Sequence, residues 1–204
     1  MAKRVLHDEY FKKAKTEGYL ARSAYKLIEI NEKYRVLRKG NLVLDLGAAP
    51  GSWTQVASDR VGPAGRIVAL DILDIRVSLG NAATFLADVN EVTPEILLGH
   101  TGGERFDVII SDMAPNTSGH GDHFRSVRLC ERALELATDV LRPGGNLVMK
   151  VFEGETYPDL LKETARRFAN CKGFKPKSTR DISKEMFIVA MGFRDAAPDT
   201  KPQG

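Results

Sequence analysis

Leu42-Val43-Leu44-Asp45-Leu46-Gly47-Ala48-Ala49-Pro50-Gly51-Ser52-Trp53 reads as a buried strand that runs into a glycine turn and then directly into a helix. The strand residues end at Gly47, small residues follow, and Gly51 with Ser52 opens the helix that carries Trp53 and Val56. Glycines leave the backbone bare, so a ligand can approach it closely, and the first turn of a helix offers N–H groups that lack partners inside the helix. A turn of this kind is how an α/β protein holds a nucleotide-like cofactor.

Working outward, strand-like and helix-like segments alternate after residue 40, the pattern of a mainly parallel sheet covered on both faces. Strands are predicted near 41–46, 66–70, 83–87, 106–111, 145–151 and 187–193, and helices over 52–61, roughly 93–99, 124–141 and 156–169. Arg142-Pro143-Gly144-Gly145 should stop the long helix, since proline cannot continue it and glycine accepts a left-handed cap. Ahead of the first strand, Leu20, Ala24, Leu27 and Ile28 recur at helical spacing within a predicted helix over 21–34. The other side of that helix carries Arg22, Lys26, Glu29 and Lys33 near one stripe, where Glu29 could offset its neighbours; a solvated face is the reading for Arg22 and Lys33, while Lys26 waits on the rest of the chain. No internal repeat is present, and the polar, proline-bearing tail 195–204 is expected to be disordered.

With 204 residues the chain fits one domain large enough to bury a core without staples. Its net charge of +3 conceals a segregation. Residues 1–40 hold 11 Lys/Arg against 5 Asp/Glu, residues 162–184 hold 8 against 2, and the intervening 41–161 hold 9 against 17. Two basic segments flanking an acidic centre suit a polyanion gripped outside a cofactor pocket, although solvated faces would give the same count. Cys130 and Cys171 make neither a disulfide framework nor a metal-ligand spacing, so no metal is expected. The absence of a membrane-length apolar run or a signal-like segment makes the cytoplasm the default location and a membrane partner unexpected.

In a doubly wound sheet, ligands sit beyond the carboxyl ends of the strands where the strand order reverses. Three successive strands are read as ending in aspartate there: Asp71, Asp88 and Asp112. Asp71 can accept hydrogen bonds from both ribose hydroxyls, Asp88 can take the amino group of adenine, and Asp112 faces the crevice on a turn fixed by Pro115. The spacing between Gly47 and Gly51 departs from G-x-G-x-x-G, and Pro50 offers no N–H to a pyrophosphate, which counts against NAD. S-adenosylmethionine carries a sulfonium and no phosphate, so carboxylates and glycine backbone suit it better. Trp53 could pack on that ligand or belong to the core. Lys150 stands alone among apolar neighbours in Leu147-Val148-Met149-Lys150-Val151-Phe152, and a lysine so placed needs a carboxylate partner or must be partly neutral. Glu185 precedes the last strand and could be an ordinary surface carboxylate.

These pieces together resemble the FtsJ/RrmJ (RlmE) family of S-adenosylmethionine-dependent ribosomal RNA large subunit 2′-O-ribose methyltransferases. The resemblance rests on ARSAYKL around Lys26, LDLGAAPGSW, GRIVALD, the aspartate of FLADV, SDMAPNTSG, LRPGGNLVMKVFEGE and KEMFIVA, in order over residues 18 to 192. It implies a Rossmann-like methyltransferase fold, α/β with a mostly parallel seven-stranded sheet, an antiparallel final strand and helices on both faces. A single methyltransferase domain over 1–194 would then carry 1–40 as a basic helical extension. The family's K-D-K-E tetrad falls on Lys26, Asp112, Lys150 and Glu185 as catalytic residues, and its cofactor contacts on Gly51, Trp53, Asp71, Asp88 and Asp112. The implied reaction transfers a methyl group to a ribose 2′-hydroxyl, most simply of a uridine in 23S rRNA of the large subunit, by a monomer whose partner is ribosomal RNA. Lys150 would take the proton, and since an ammonium ordinarily titrates near pH 10.4, a lysine base needs burial or a second cation beside it. Ser52 stands where the family often has glycine, and Gly119-His120-Gly121-Asp122-His123 is individual to this chain. A tRNA or mRNA-cap methyltransferase, and a ribosome-assembly factor of the same fold without turnover, are the alternatives.

Overall fold

A computed structural model describes residues 2–115, 121–180 and 183–194, with side chains from Glu9 onward. Two helices, α1 (Ala2–Glu17) and α2 (Ala24–Tyr34), precede the first strand. There follow β1 (Leu42–Leu46), α3 (Ser52–Val61), β2 (Arg66–Asp71), β3 (Ala82–Leu86), α4 (Pro94–Gly99) and β4 (Phe106–Ser111). The second half comprises α5 (Asp122–Val140), β5 (Leu141–Phe152), α6 (Tyr157–Arg167), β6 (Phe168–Phe174) and β7 (Glu185–Phe193). The tail 195–204, along with Gly119 and His120, lies outside the described residues.

The seven strands form one sheet in the order β3-β2-β1-β4-β5-β7-β6. Strands β3 to β5 pair in parallel, and β7 runs antiparallel to both neighbours, β5 and β6. The strand order reverses between β1 and β4, so a crevice opens at their carboxyl ends. Strand β1 is buried along its whole length because helices cover both faces of its neighbourhood. Its alternate residues serve two cores. Leu42, Leu44 and Leu46 join Leu134, Ala137 and Met149 on the α5 side, while Val43 joins Leu27, Trp53, Val56 and Phe187 on the α2–α3 side.

Three differences from the sequence reading have physical reasons. Strand β6 falls partly in what reads as the end of a helix, because it is an edge strand with six of seven residues at least partly open and no clean alternation. Helix α5 ends at Val140, and the cap position Leu141 is extended rather than left-handed. Arg142-Pro143-Gly144-Gly145 instead forms an excursion within β5, since Leu141 pairs with Phe106 and Asn146 with Val108. Gly144 (φ 79°) supplies the left-handed turn inside it. Third, β3 stops at Leu86, so Asp88 lies two residues beyond the strand and not at its end. Among the described residues no helix is long and apolar enough to cross a membrane.

Candidate active site

A cavity of about 340 Å³ opens beyond the ends of β1, β2 and β4. Asp71, Asp88 and Asp112 all line it, together with Gly47, Ala49 and Met113. Among the described residues that line it there is no lysine or arginine. Three carboxylates and no cation would repel a pyrophosphate; they suit a ligand that brings hydroxyl or amino donors and a positive charge.

The cavity wall explains why glycine stands at residue 47. Gly47 has φ 73°, and a Cβ there would come within 2.4 Å of Met113 Cγ. The Asp71 carboxylate is pinned by two backbone donors, Ala49 N–H to Oδ2 and Leu73 N–H to Oδ1, each at 2.9 Å. Each oxygen keeps a second lone pair for a ligand hydroxyl. Asp88 Oδ1 accepts from the backbone and side-chain nitrogens of Asn90, both at 2.9 Å.

Gly51 and Trp53 do not line this cavity. Trp53 is 1% exposed, its ring stacks on Phe187 at 5.7 Å, and its Nε1 donates to Ser23 O at 2.9 Å. It is a core residue that ties α3 to the start of α2. Gly51 (φ 117°) forms the helix start and packs beneath Val77 and Leu20, where a Cβ would meet Val77 Cβ at 2.8 Å.

The four residues expected as a tetrad come together as two ion pairs. Strand register places Met149 opposite Ser111, so Lys150 stands beside Asp112 just past the end of β4. Lys150 Nζ lies 3.0 Å from Asp112 Oδ1 and directs its hydrogen bond to the Asp112 carbonyl oxygen. Asp112 Oδ1 is buried and, although within ion-pair distance, receives no aligned hydrogen bond. A buried acceptor in that condition is free to take a donor from a ligand or to stabilise a positive charge.

On β7, Phe187 pairs with Lys150 and Glu185 with Phe152, so Glu185 is the diagonal neighbour of Lys150 on one sheet face. Lys26, from α2, closes the group by donating to Glu185 Oε2 at 2.9 Å. Both lysines are buried, at 8% and 7% exposure, so neither is a solvated surface charge. Burial alone would push the Glu185 carboxyl up, but the charge and hydrogen bond of Lys26, followed by Lys150 and the Ser183 hydroxyl, hold it below the ordinary carboxylate range.

Asp45 belongs to the same region and carries no assignment from the sequence reading. It is fully buried in β1, with Oδ2 accepting from Thr54 Oγ1 at 2.7 Å and Oδ1 without a partner. Burial, reinforced by the charges of Asp112 and Asp71 and only partly opposed by the Thr54 hydrogen bond, pushes its carboxyl up to about 7. A charge inside the apolar run Leu-Val-Leu-Asp-Leu was the signal for it.

Of the stripe on α2, Lys33 is exposed as a solvated face requires, whereas Arg22 and Glu29 are partly buried and Lys26 is buried. Glu29 accepts the backbone N–H groups of Lys177 (2.6 Å) and Ser178 (2.9 Å), and Arg22 donates to Ser178 O. Lys33 lies 4.6 Å from the centre of the Phe174 ring. The late basic segment is therefore fastened onto α2.

A sheet with this strand order, an antiparallel β7 and an acidic cavity at its switch point define a Rossmann-like methyltransferase. The profile of the FtsJ-like methyltransferase family matches residues 19–193, and the chain belongs to that family. A ribosomal RNA large subunit methyltransferase E of Rhodopseudomonas palustris is 43% identical over 200 residues, covering 96% of this chain and 85% of that protein. The protein of the same name from Acinetobacter baumannii is 45% identical over 194 residues, covering 94% and 89%. Among solved structures, one described as a ribosomal RNA methyltransferase of Plasmodium falciparum matches with a TM-score of 0.75 and 26% identity, covering 86% of this chain and 98% of that one. Aeropyrum pernix fibrillarin, solved with bound S-adenosyl-L-methionine, shares the fold at a TM-score of 0.58 and 20% identity, over 83% and 76% of the two chains.

Proposed function

We propose that this chain transfers a methyl group from S-adenosylmethionine to a ribose 2′-hydroxyl of large-subunit ribosomal RNA, with a uridine of 23S rRNA as the target. The observation that carries this reading is the Lys150–Asp112 pair, 3.0 Å apart, at the rim of a cavity lined by three aspartates and, among the described residues, no lysine or arginine. The names of relatives 43% and 45% identical over nearly the whole chain support ribosomal RNA as substrate.

When bound, S-adenosylmethionine supplies an already activated methyl group. The protein then has to hold the acceptor oxygen in line and remove its proton. Asp71 and Asp88 would hold the adenosine part through the lone pairs their backbone partners leave open. Asp112, whose Oδ1 has no aligned donor, would face the sulfonium while its carbonyl oxygen fixes Lys150. Lys150 would accept the 2′-hydroxyl proton. Lys26 stands close enough to add a second positive charge to the acceptor site, and Glu185 orients it. Gly51 and Trp53 would act indirectly, by shaping the turn and seating α3. We place the enzyme in the cytoplasm, working as a monomer.

The test is to incubate the protein with labelled S-adenosylmethionine and undermethylated large ribosomal subunits, with tRNA and capped mRNA in parallel, and to map the modified nucleotide. Label in a single ribose of subunit RNA is expected. Label confined to tRNA or cap would overturn the substrate assignment, and rescue of subunit assembly without any label would favour a role in assembly alone.

A further inference from the structure

Residues 18–23, which join α1 to α2, form neither helix nor strand. Several of their polar groups are held by the first turn of α3. Gln55 Oε1 accepts the Leu20 N–H, and Gln55 Nε2 donates to Gly18 O, both at 2.9 Å. The hydroxyls of Ser52 and Ser23 share a hydrogen bond of 2.9 Å, and Trp53 Nε1 donates to Ser23 O at 2.9 Å. Ser52, Trp53 and Gln55 open α3 directly after the turn whose Gly47 and Ala49 line the cofactor cavity. One turn of helix therefore borders the cofactor and fastens the chain that leads into α2.

Ser23 is where this clamp reaches the acceptor site. It stands at the N-cap of α2, where a serine hydroxyl ordinarily accepts a backbone N–H of its own helix. Here the hydroxyl makes no such bond and is turned to Ser52 instead. The Ser23 carbonyl oxygen accepts twice, from Trp53 Nε1 and, at 3.0 Å, from the backbone N–H of Lys26. Trp53 also stacks on Phe187, whose ring centre lies 5.9 Å from Lys26 Nζ and which pairs with Lys150 between β5 and β7. Both ends of Lys26 thus rest on groups that Trp53 touches.

Ser52 is 2% exposed, so its hydroxyl has no solvent to turn to and depends on Ser23. A glycine, as the family often has at this position, could not make that bond. Glu29, by contrast, fastens the segment at Lys177 and Ser178 to α2 and leaves the distance from α2 to the cofactor turn to other contacts.

We propose that Ser52 and Ser23 are positioning residues for methyl transfer, whose shared hydrogen bond, with Gln55 beside it, sets Lys26 relative to the turn that holds the methyl donor. This rests on the reading of Lys26 as part of the acceptor site, and it adds what places that lysine. A displacement of about 1 Å in a reacting assembly can lower a rate roughly 100-fold, so a joint between cofactor turn and acceptor helix counts in turnover.

The experiment compares the wild type with Ser52→Ala, Ser23→Ala, Ser23→Thr, and Lys26→Met with and without Ser52→Ala. In methyl transfer to ribosomal subunits, Ser52→Ala and Ser23→Ala should each lower kcat about tenfold, and the two together no further, since they remove the same bond. Ser23→Thr keeps a hydroxyl and should keep the wild-type kcat. Calorimetry should show S-adenosylmethionine affinity unchanged, because neither serine is among the described residues that line the cavity. On the Lys26→Met background, Ser52→Ala should change kcat by less than about twofold. A second readout needs no turnover: the side-chain ammonium signal of Lys26 in nitrogen NMR, assigned by its loss in Lys26→Met, should move in Ser52→Ala and stay in place in Ser23→Thr. An unmoved signal or a wild-type kcat in Ser52→Ala, a loss of cofactor affinity that matches the loss of turnover, or the full loss recurring on Lys26→Met overturns the positioning role. A moved signal in a protein that labels no ribosomal RNA leaves the clamp standing and removes the substrate assignment instead.

Discussion

Asp45→Asn should change how stability depends on pH. The wild-type carboxyl is fully buried, with Thr54 Oγ1 as its one hydrogen-bond donor and with Asp71 and Asp112 adding negative charge, and it stands at about 7 against an ordinary 3.8. A difference of that size corresponds to about 4 kcal/mol at 1.36 kcal/mol per tenfold change in acidity. The folded state holds the proton more tightly than the unfolded chain, so this contribution is fully present below pH 3.8 and is lost as pH rises towards about 7. Between pH 5 and pH 8 the wild type should lose about 2.5 kcal/mol relative to Asp45→Asn, which has no proton to lose at that position. The amide would place an N–H₂ where Oδ1 finds no partner, costing roughly 1–3 kcal/mol at every pH, so the difference between the two proteins is the quantity to follow. Urea unfolding can be read by fluorescence, since the single tryptophan, Trp53, is buried in the core. A stability difference that stays the same at pH 5 and pH 8 would refute the assignment of a proton-binding carboxyl beneath the cavity.

Other outcomes follow from the site. Lys150→Ala should lower the methyl-transfer rate by roughly 10²–10⁴-fold while calorimetry shows S-adenosylmethionine binding retained, and full activity would reject Lys150 as proton acceptor. Gly47→Ala forces a left-handed residue to carry a Cβ 2.4 Å from Met113 Cγ, so the dissociation constant for S-adenosylmethionine should rise about tenfold or more, roughly 1.4 kcal/mol; normal binding would show that the wall yields freely. Trp53→Ala should cost about 3–5 kcal/mol in thermal unfolding, whereas Trp53→Phe should cost less because it keeps a ring against Phe187. Loss of cofactor affinity in Trp53→Phe with unfolding unchanged would contradict its place in the core.

Much of the central sheet was legible because its strands are buried on both faces, and a continuous apolar run ended by glycine or aspartate is hard to read otherwise. Lys150 was legible for the same reason, as a charge where burial forbids one without a partner. Edge strand β6 was not, since exposed side chains impose no pattern on Phe168–Phe174. Trp53 shows a different limit. Its position in the turn said that it lay near the cofactor cavity, but whether its ring faced the cavity or Phe187 depended on where β7 would insert, which local sequence does not contain. Glu29 was misjudged likewise, because its partners are backbone groups about 148 residues away.

The antiparallel β7 is what completes the charged group. Strands β4 and β5 run in parallel and deliver Asp112 and Lys150 at their carboxyl ends, so a further parallel neighbour would begin at the far side of the sheet. Because β7 runs the other way, its first residue, Glu185, meets the end of β5 at Phe152 and reaches the same rim without another crossover. The register then fixes the chemistry: a slip of one residue between β5 and β7 would turn Glu185 to the opposite face from Lys150 and leave Lys26 buried without its carboxylate. An unpaired buried ammonium costs several kcal/mol, so the ion pairs favour the register that brings the four charged side chains together. If the proposed roles hold, strand register and acceptor geometry share the same four side chains, so changing any one of them has to be judged by stability and by turnover together.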